Sequence, residues 1–205
     1  MYTPKHNRED DPAKLYRFMA EYSFATLLTT KDDAMKATHL PFLVDMEDGA
    51  IRLRAHMARA NDQWRDFAGA KEVLVIFQEP HAYVSPKHYE KHLSVPTWNY
   101  VAVHAYGRAR VIDETGDKLR LLERMIRHLD EGYMKQWEGL PEQFKREKLG
   151  GIVAFEVEVT RLQGRFKLSQ DRSVVEQENI VKEFCASDDP VKSKIGEMMR
   201  ENLKK

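Results

Sequence analysis

The sequence predicts a mainly β protein with added helices, built on a six-stranded antiparallel barrel. Three observations point there. Segments such as Ile51–His56 alternate apolar and polar residues, the period of a strand with one buried face. Six segments read as strands, and they do not alternate with helices as a parallel α/β sheet demands. The helical segments come mostly late in the chain, as appendages to an antiparallel barrel.

Asp11-Pro12 opens a helix, with the acid as cap and the proline at the first helical position. Leu15, Phe18, Met19 and Tyr22 follow at helical spacing. Phe24–Thr30 reads as the first strand. Met35–Asp45 is the second, interrupted at Pro41, where proline implies an edge, a bulge or a close ligand approach. Glu47-Asp48-Gly49 is a turn signal, and Ile51, Leu53 and Ala55 then alternate with Arg52, Arg54 and His56. Val73–Phe77 is a short, continuously apolar strand. Asn99–Asp113 is the longest strand. Asp117–Leu129 is an amphipathic helix, and Pro141–Leu149 a shorter one. Gly151–Leu162 is the sixth strand, with Val153, Phe155, Val157 and Val159 inward and Glu156 and Glu158 outward. Two helices follow, Val174–Phe184 and Pro190–Leu203. The expected organisation is a barrel domain over residues 1–165 and a polar loop with a helical appendage over residues 166–205, packed on the barrel or on a dimer partner.

A six-stranded barrel is narrow and is filled by its own side chains. A ligand must then sit outside it, against a strand edge or in an interface. The 205 residues carry zero formal net charge, so no broad basic field attracts nucleic acid. One cysteine, Cys185, fits a reducing compartment and leaves no internal disulfide. The chain starts without a signal-peptide pattern and has no apolar run of membrane-spanning length. The expectation is a cytoplasmic protein without membrane association.

Four segments carry candidate chemistry. Ala58–Trp64 follows a strand and opens a helix that Asp62 would cap. Arg59 offers a planar fork for phosphate and Asn61 an amide donor; the competing reading is an ordinary strand-to-helix connection. Trp98-Asn99-Tyr100 places aromatics around an amide, suited either to a planar ring or to the core. Thr38-His39-Leu40-Pro41 is a strand that stops pairing, freeing backbone groups for the polar edge of a flat ligand; His39 either faces that ligand or is satisfied by a neighbour. Lys167–Ser173 is either an anion-neutralising loop or a solvated linker whose Ser173 caps the next helix. His81, His88 and His92 lack the spacing and acidic support of a metal site, so no metal ligands are expected.

Together the segments are identified as resembling the PaiB family of FMN-binding negative transcriptional regulators. The resemblance rests on Met1-Tyr2-Thr3-Pro4 with His6, Ala37–Pro41, His56–Asn61 with Trp64, and Pro80–Pro86. It continues through Val95–Tyr100, His104–Gly107 and Lys167–Gln170, in order along nearly the whole chain. Asp171-Arg172 stands where the family more often has Asn-Arg. The resemblance implies a split barrel of the flavin-binding type, a homodimer with FMN at its interface, and negative control of protease synthesis and sporulation. It implies a cofactor site formed by Thr38, His39, Leu40, Arg59, Asn61, Trp64, Trp98, Asn99, Lys167, Ser169 and Gln170. Two alternatives stand beside it: a flavin-dependent reductase or oxidase, and a haem protein ligated through His39 or His104. No recognition helix is evident, so direct DNA contact is not expected. The basic residues are local: Arg52 with Arg54, Arg108 with Arg110, and the tail from Lys192 to Lys205.

Overall fold

The computed structural model describes residues 1–204. Their elements run β1 (Arg8–Glu9), α1 (Pro12–Glu21), β2 (Phe24–Lys31), β3 (Ala34–Pro41), β4 (Leu43–Glu47), β5 (Ala50–Ala58), β6 (Val73–Val84) and β7 (Thr97–Ile112). They continue with α2 (Thr115–Asp130), α3 (Met134–Glu138), α4 (Glu142–Gly150), β8 (Ile152–Lys167), α5 (Val174–Cys185) and α6 (Pro190–Leu203).

The strands bond in the order β3-β2-β6-β7-β8-β5-β4, with β1 added to β8. β3 and β4 stand at opposite ends of this path yet are joined through Phe42 alone. The path therefore returns on itself, as a barrel requires. β3 and β4 are the two halves of the strand expected over Met35–Asp45. Pro41 has no N–H for a ladder, and the Phe42 N–H turns instead to the Ser23 carbonyl at 2.9 Å. Counted as one bent strand, they make the path six-stranded. Both flanking hairpins use two-residue turns with left-handed backbone, at Asp32-Asp33 (φ 50° and 61°) and Asp48-Gly49 (φ 50° and 78°). Such turns match the twist of paired strands and fix the register Thr26 to His39 and Leu27 to Thr38.

Four sequence expectations need correction. The strand at Val73 does not end at Phe77 but continues through Pro80 to Val84, since a proline lacks only its own N–H and a strand passes it where that donor is not needed. The segment after Asn61 is a five-residue 3₁₀ turn, Asp62–Asp66, rather than an α-helix. Its cap is Asn61, whose side chain accepts from the Gln63 N–H, and not Asp62. Glu156 is not outward-facing in solvent; it is 2 % exposed, because Arg52, Arg54 and Arg110 cover it.

The chain forms two compact units. A central unit takes residues 16–76 and 105–161; a terminal unit takes residues 1–15, 77–104 and 162–205. In the central unit the Phe155 ring packs against Phe42 and Phe67, with centroids 6.1 and 5.1 Å away. Leu121 and Met125 of α2 close over Leu43, Ala154 and Ile112. Each such side chain contributes about 1.5–3 kcal/mol on full burial. In the terminal unit α5 and α6 pair through Ile180, Phe184, Ile195 and Met199, all buried. The apolar spacing of α6 is thus a packing face. Gly196 allows the approach: a Cβ there would lie 2.8 Å from Phe184 Cβ and from the Cys185 nitrogen. Ser173 caps α5 in a reciprocal capping box with Glu176, which realises the capping alternative for that residue. Lys205 of the basic tail lies outside the described residues.

Candidate functional site

The predicted site residues fall into the two units, and each group has its own character. In the central unit, hairpin register and the 3₁₀ turn assemble a polar network around Gln63. The Thr38 hydroxyl donates to Gln63 Oε1 at 2.5 Å and accepts from Asn61 Nδ2 at 2.8 Å. Gln63 Nε2 donates to the carbonyls of Leu27 (3.2 Å) and Lys36 (3.1 Å). Gln63 is fully buried, and each of its polar groups has a partner, as burial requires. It ties β2, β3 and the turn together beneath Thr38 and Asn61.

Beside this network His39 is exposed, with Nδ1 2.9 Å from the Thr26 hydroxyl. Leu40 is buried, so alternation along β3 sends it away from His39. β3 pairs with β2 through Pro41, so the stretch from Thr38 to Pro41 does not stop pairing, contrary to expectation, and on its other side Gln63 bonds the Lys36 carbonyl. The Arg59 side chain is exposed and anchored, not loose: Nε donates to Gly150 O at 2.7 Å and Nη2 to Ile152 O at 3.0 Å. Gly150 is the last residue of α4, where a cation also suits the helix dipole, and Ile152 opens β8. The Nη1 edge remains open for a ligand. The Trp64 indole N–H donates to the Arg59 carbonyl at 3.3 Å.

Sequence reasoning passed over Lys36, Asp66, Thr26 and Gln63. Asp66 is buried and takes a 3.0 Å hydrogen bond from Thr29. Lys36 lies 3.1 Å from Asp62 and 3.4 Å from Asp66. The hydrogen bond to Asp62 raises the Lys36 pKa, so the ammonium stays charged. These roles follow from cross-strand register, which no local motif displays.

The terminal-unit group is different. Asn99 is fully buried; its Nδ2 donates to Ser169 Oγ at 2.9 Å, and the same hydroxyl donates back to Asn99 Oδ1 at 3.1 Å. Ser169 is 2 % exposed and holds a left-handed backbone, φ 62°. Gln170 folds onto its own loop, accepting from Leu168 N at 2.7 Å and donating to Phe166 O at 2.5 Å. Lys167 donates to the Thr97 hydroxyl, and burial, then the charge of Arg165, lowers its pKa. Trp98 is 52 % exposed. Adjacent strand residues face opposite ways, so Trp98 and Asn99 do not flank one ligand from the same face. Trp98, Tyr100, Ala102 and His104 instead line an open pocket of about 370 Å³ with Gln78 and His81. His81 lies tilted against the Trp98 ring at 5.8 Å and Tyr83 edge-on to it at 5.9 Å. Burial, then the N-terminal ammonium, lowers the His104 pKa, leaving a neutral imidazole at pH 7.

Residues 1–161 match the family model described as "Putative FMN-binding domain". Over its full length the chain is 36 % identical to the protease synthase and sporulation protein PAI 2 of Bacillus subtilis, covering 99 % of that protein. The chain belongs to this FMN-binding family. Solved structures agree on the fold. The flavocytochrome Anf3 of Azotobacter vinelandii superposes with a TM-score of 0.63 at 12 % identity, over 80 % of this chain and 72 % of that one. The FAD and haem binding protein of Mycobacterium smegmatis gives 0.61 at 13 % identity, over 78 % and 73 %. These establish a flavin-type split barrel, with helices, as the fold of the family member described here. Among the described residues no helix is long and apolar enough to cross a membrane.

The residues present suit the family's cofactor at one clear point. A phosphate needs fixed, unsatisfied donors, and the exposed Arg59 guanidinium, held on two nitrogens with the third open, supplies them.

Proposed function

We propose that the protein is an FMN-binding regulator, active as a homodimer in the cytoplasm, that acts on protease synthesis and sporulation, the processes its Bacillus relative's name gives, and restrains them as the resemblance to the PaiB family implies. The observation that carries this reading is the anchored Arg59, in a chain whose residues 1–161 match an FMN-binding family. FMN would place its phosphate at Arg59 and Asn61 and a polar edge of its ring along Thr38, His39 and Leu40. Gln63 would hold Thr38 and Asn61 in position, and Lys36 would add positive charge. When bound, FMN supplies the redox chemistry; the chain's part is to fix its phosphate and shield its face. Trp98, with its exposed indole, is a stacking surface that a second subunit would bring to the flavin. Asn99, Ser169 and Gln170 would hold their own loop together without touching the flavin.

Control of transcription would be indirect, through a ligand or protein partner. Arg52, Arg54 and Arg110 all bond Glu156, which reduces the basic surface these strands offer to DNA.

Absorption and fluorescence spectra of the protein purified from cells, before and after added FMN, test the reading. Flavin bands with quenched fluorescence at one FMN per chain support it; no saturable FMN binding overturns it. A Soret band would favour haem. Steady turnover of reduced nicotinamide would favour an enzyme. Light scattering should give about twice the chain mass, and promoter DNA at about 0.15 M salt should not be bound in the nanomolar range typical of specific complexes.

A further inference from the structure

The central unit contains a second charged concavity that the flavin reading does not use. It is an open pocket of about 330 Å³, within the size range of small-molecule sites. Four arginines line it: Arg54 from β5, Arg110 from β7, and Arg120 and Arg124 from α2. The carboxylates that share the lining are Glu47, Asp117 and Glu156.

These carboxylates hold the arginines in place. Glu156, buried on β8, receives Arg52 Nη1 at 2.8 Å, Arg54 Nε at 2.6 Å, and Arg110 Nε and Nη2 at 3.1 and 2.8 Å. Burial alone would raise the Glu156 pKa, but the Arg110 hydrogen bonds and the Arg54 charge outweigh it and lower it. On the opposite wall Arg120 bonds Asp117 through Nη2, and Arg124 reaches Asp45 Oδ1 through Nη2 at 2.5 Å.

A guanidinium has five N–H donors on three nitrogens. Arg54 uses all three nitrogens on Asp45, Glu47 and Glu156. Arg110 uses Nε and Nη2, leaving Nη1. Arg120 and Arg124 use Nη2 alone in hydrogen bonds. Arg110 is thus held along its Nε–Nη2 edge, and Arg120 and Arg124 are each held at one nitrogen, with donors left over on all three. Fixed planar donors are what carboxylate and phosphate oxygens select, and fixing them in advance reduces the ordering cost of binding.

We propose that this pocket binds a small multivalent oxyanion, a phosphate ester or a polycarboxylate, with Arg110, Arg120 and Arg124 as its donors. It would act as an effector site separate from the flavin-binding residues. The inference does not depend on FMN binding, and FMN titration of the same variants keeps the two apart.

Isothermal titration at fixed ionic strength in chloride, with pyrophosphate and citrate as probes, tests it. At least one probe should saturate at one site per chain. Arg120→Gln and the double variant Arg120→Gln/Arg124→Gln should weaken it roughly tenfold to a hundredfold, the scale of lost charge-assisted bonds. Arg146→Gln on α4 should leave it unchanged, and all three should bind FMN as the parent does. Pyrophosphate alone binding points to a phosphate ester, and citrate alone to a polycarboxylate. No saturation by either probe, or equal affinity in the double variant, overturns the proposal.

Discussion

The two asparagines singled out by sequence, Asn61 and Asn99, sit in networks of opposite kinds. Asn61 is half-buried and lies two residues from an exposed guanidinium with an open edge. Asn99 is sealed, and its amide exchanges hydrogen bonds with Ser169, itself buried. One network ends at the surface with donors to offer; the other closes on itself. On the proposed reading the same residue type would serve a ligand in one unit and the scaffold in the other, with exposure and donor count separating the two roles.

The largest effect should come from opening the sealed network. Asn99→Ala leaves the Ser169 hydroxyl buried without its partner, a cost of about 1–3 kcal/mol. Thermal unfolding should shift down by roughly 2–10 °C, while folded protein keeps its FMN affinity to within about threefold. Gln63→Ala sharpens the comparison, because Gln63 is a buried scaffold residue lying under the open network. It should lower stability by about 1–3 kcal/mol and also weaken FMN, as Thr38 and Asn61 lose their support; calorimetry and FMN titration read the two losses separately. Thr38→Val leaves the buried Gln63 Oε1 without its donor and should lower stability by about 1–3 kcal/mol in thermal unfolding.

Much of the fold was legible. Alternation in Ile51–His56 and helical spacing in Asp117–Leu129 come from one face being buried, and burial leaves its mark locally. The two-residue turn at Asp48-Gly49 announced itself through the glycine. What stayed hidden depends on partners distant in sequence. Pairing of Glu156 with the strand arginines is readable from their outward faces; its burial under Arg52, Arg54 and Arg110 together is not. Gln63 looks like a turn residue until β2 and β3 are in register. The strand at Val73 reads as ending at Phe77 because the apolar run stops there, and nothing local shows that it continues past Pro80. In the site, Arg59 and Asn61 were legible from residue type and position. Ser169 and Gln170 were legible as important but not as internal, since side-chain direction in a loop follows from packing.

A smaller effect concerns acid. Glu183 on α5 bonds Lys87 at 2.6 Å and Lys192 at 2.9 Å, and the Lys87 bond, then the Lys192 bond, hold its pKa at about 2 against an ordinary 4.5. A depressed folded pKa contributes stability that is present above the unfolded value and lost as pH falls through the folded one. The contribution should therefore fade between about pH 4.5 and 2. Its side chain is 36 % exposed, so solvent screens the pairs and the effect is modest. Acid unfolding of Glu183→Gln should show a flatter limb across that window than the parent.

The most direct test of the contrast is FMN fluorescence titration and thermal unfolding on Arg59→Ala and Asn99→Ala in parallel. Arg59→Ala should weaken FMN by roughly tenfold to a hundredfold, the loss of about 1.5–3 kcal/mol for a charge-assisted contact. Its melting temperature should move by less than that of Asn99→Ala, which should melt earlier and still bind. The opposite pattern, an Arg59→Ala protein that binds FMN like the parent and an Asn99→Ala protein that is stable but no longer binds, would contradict the account.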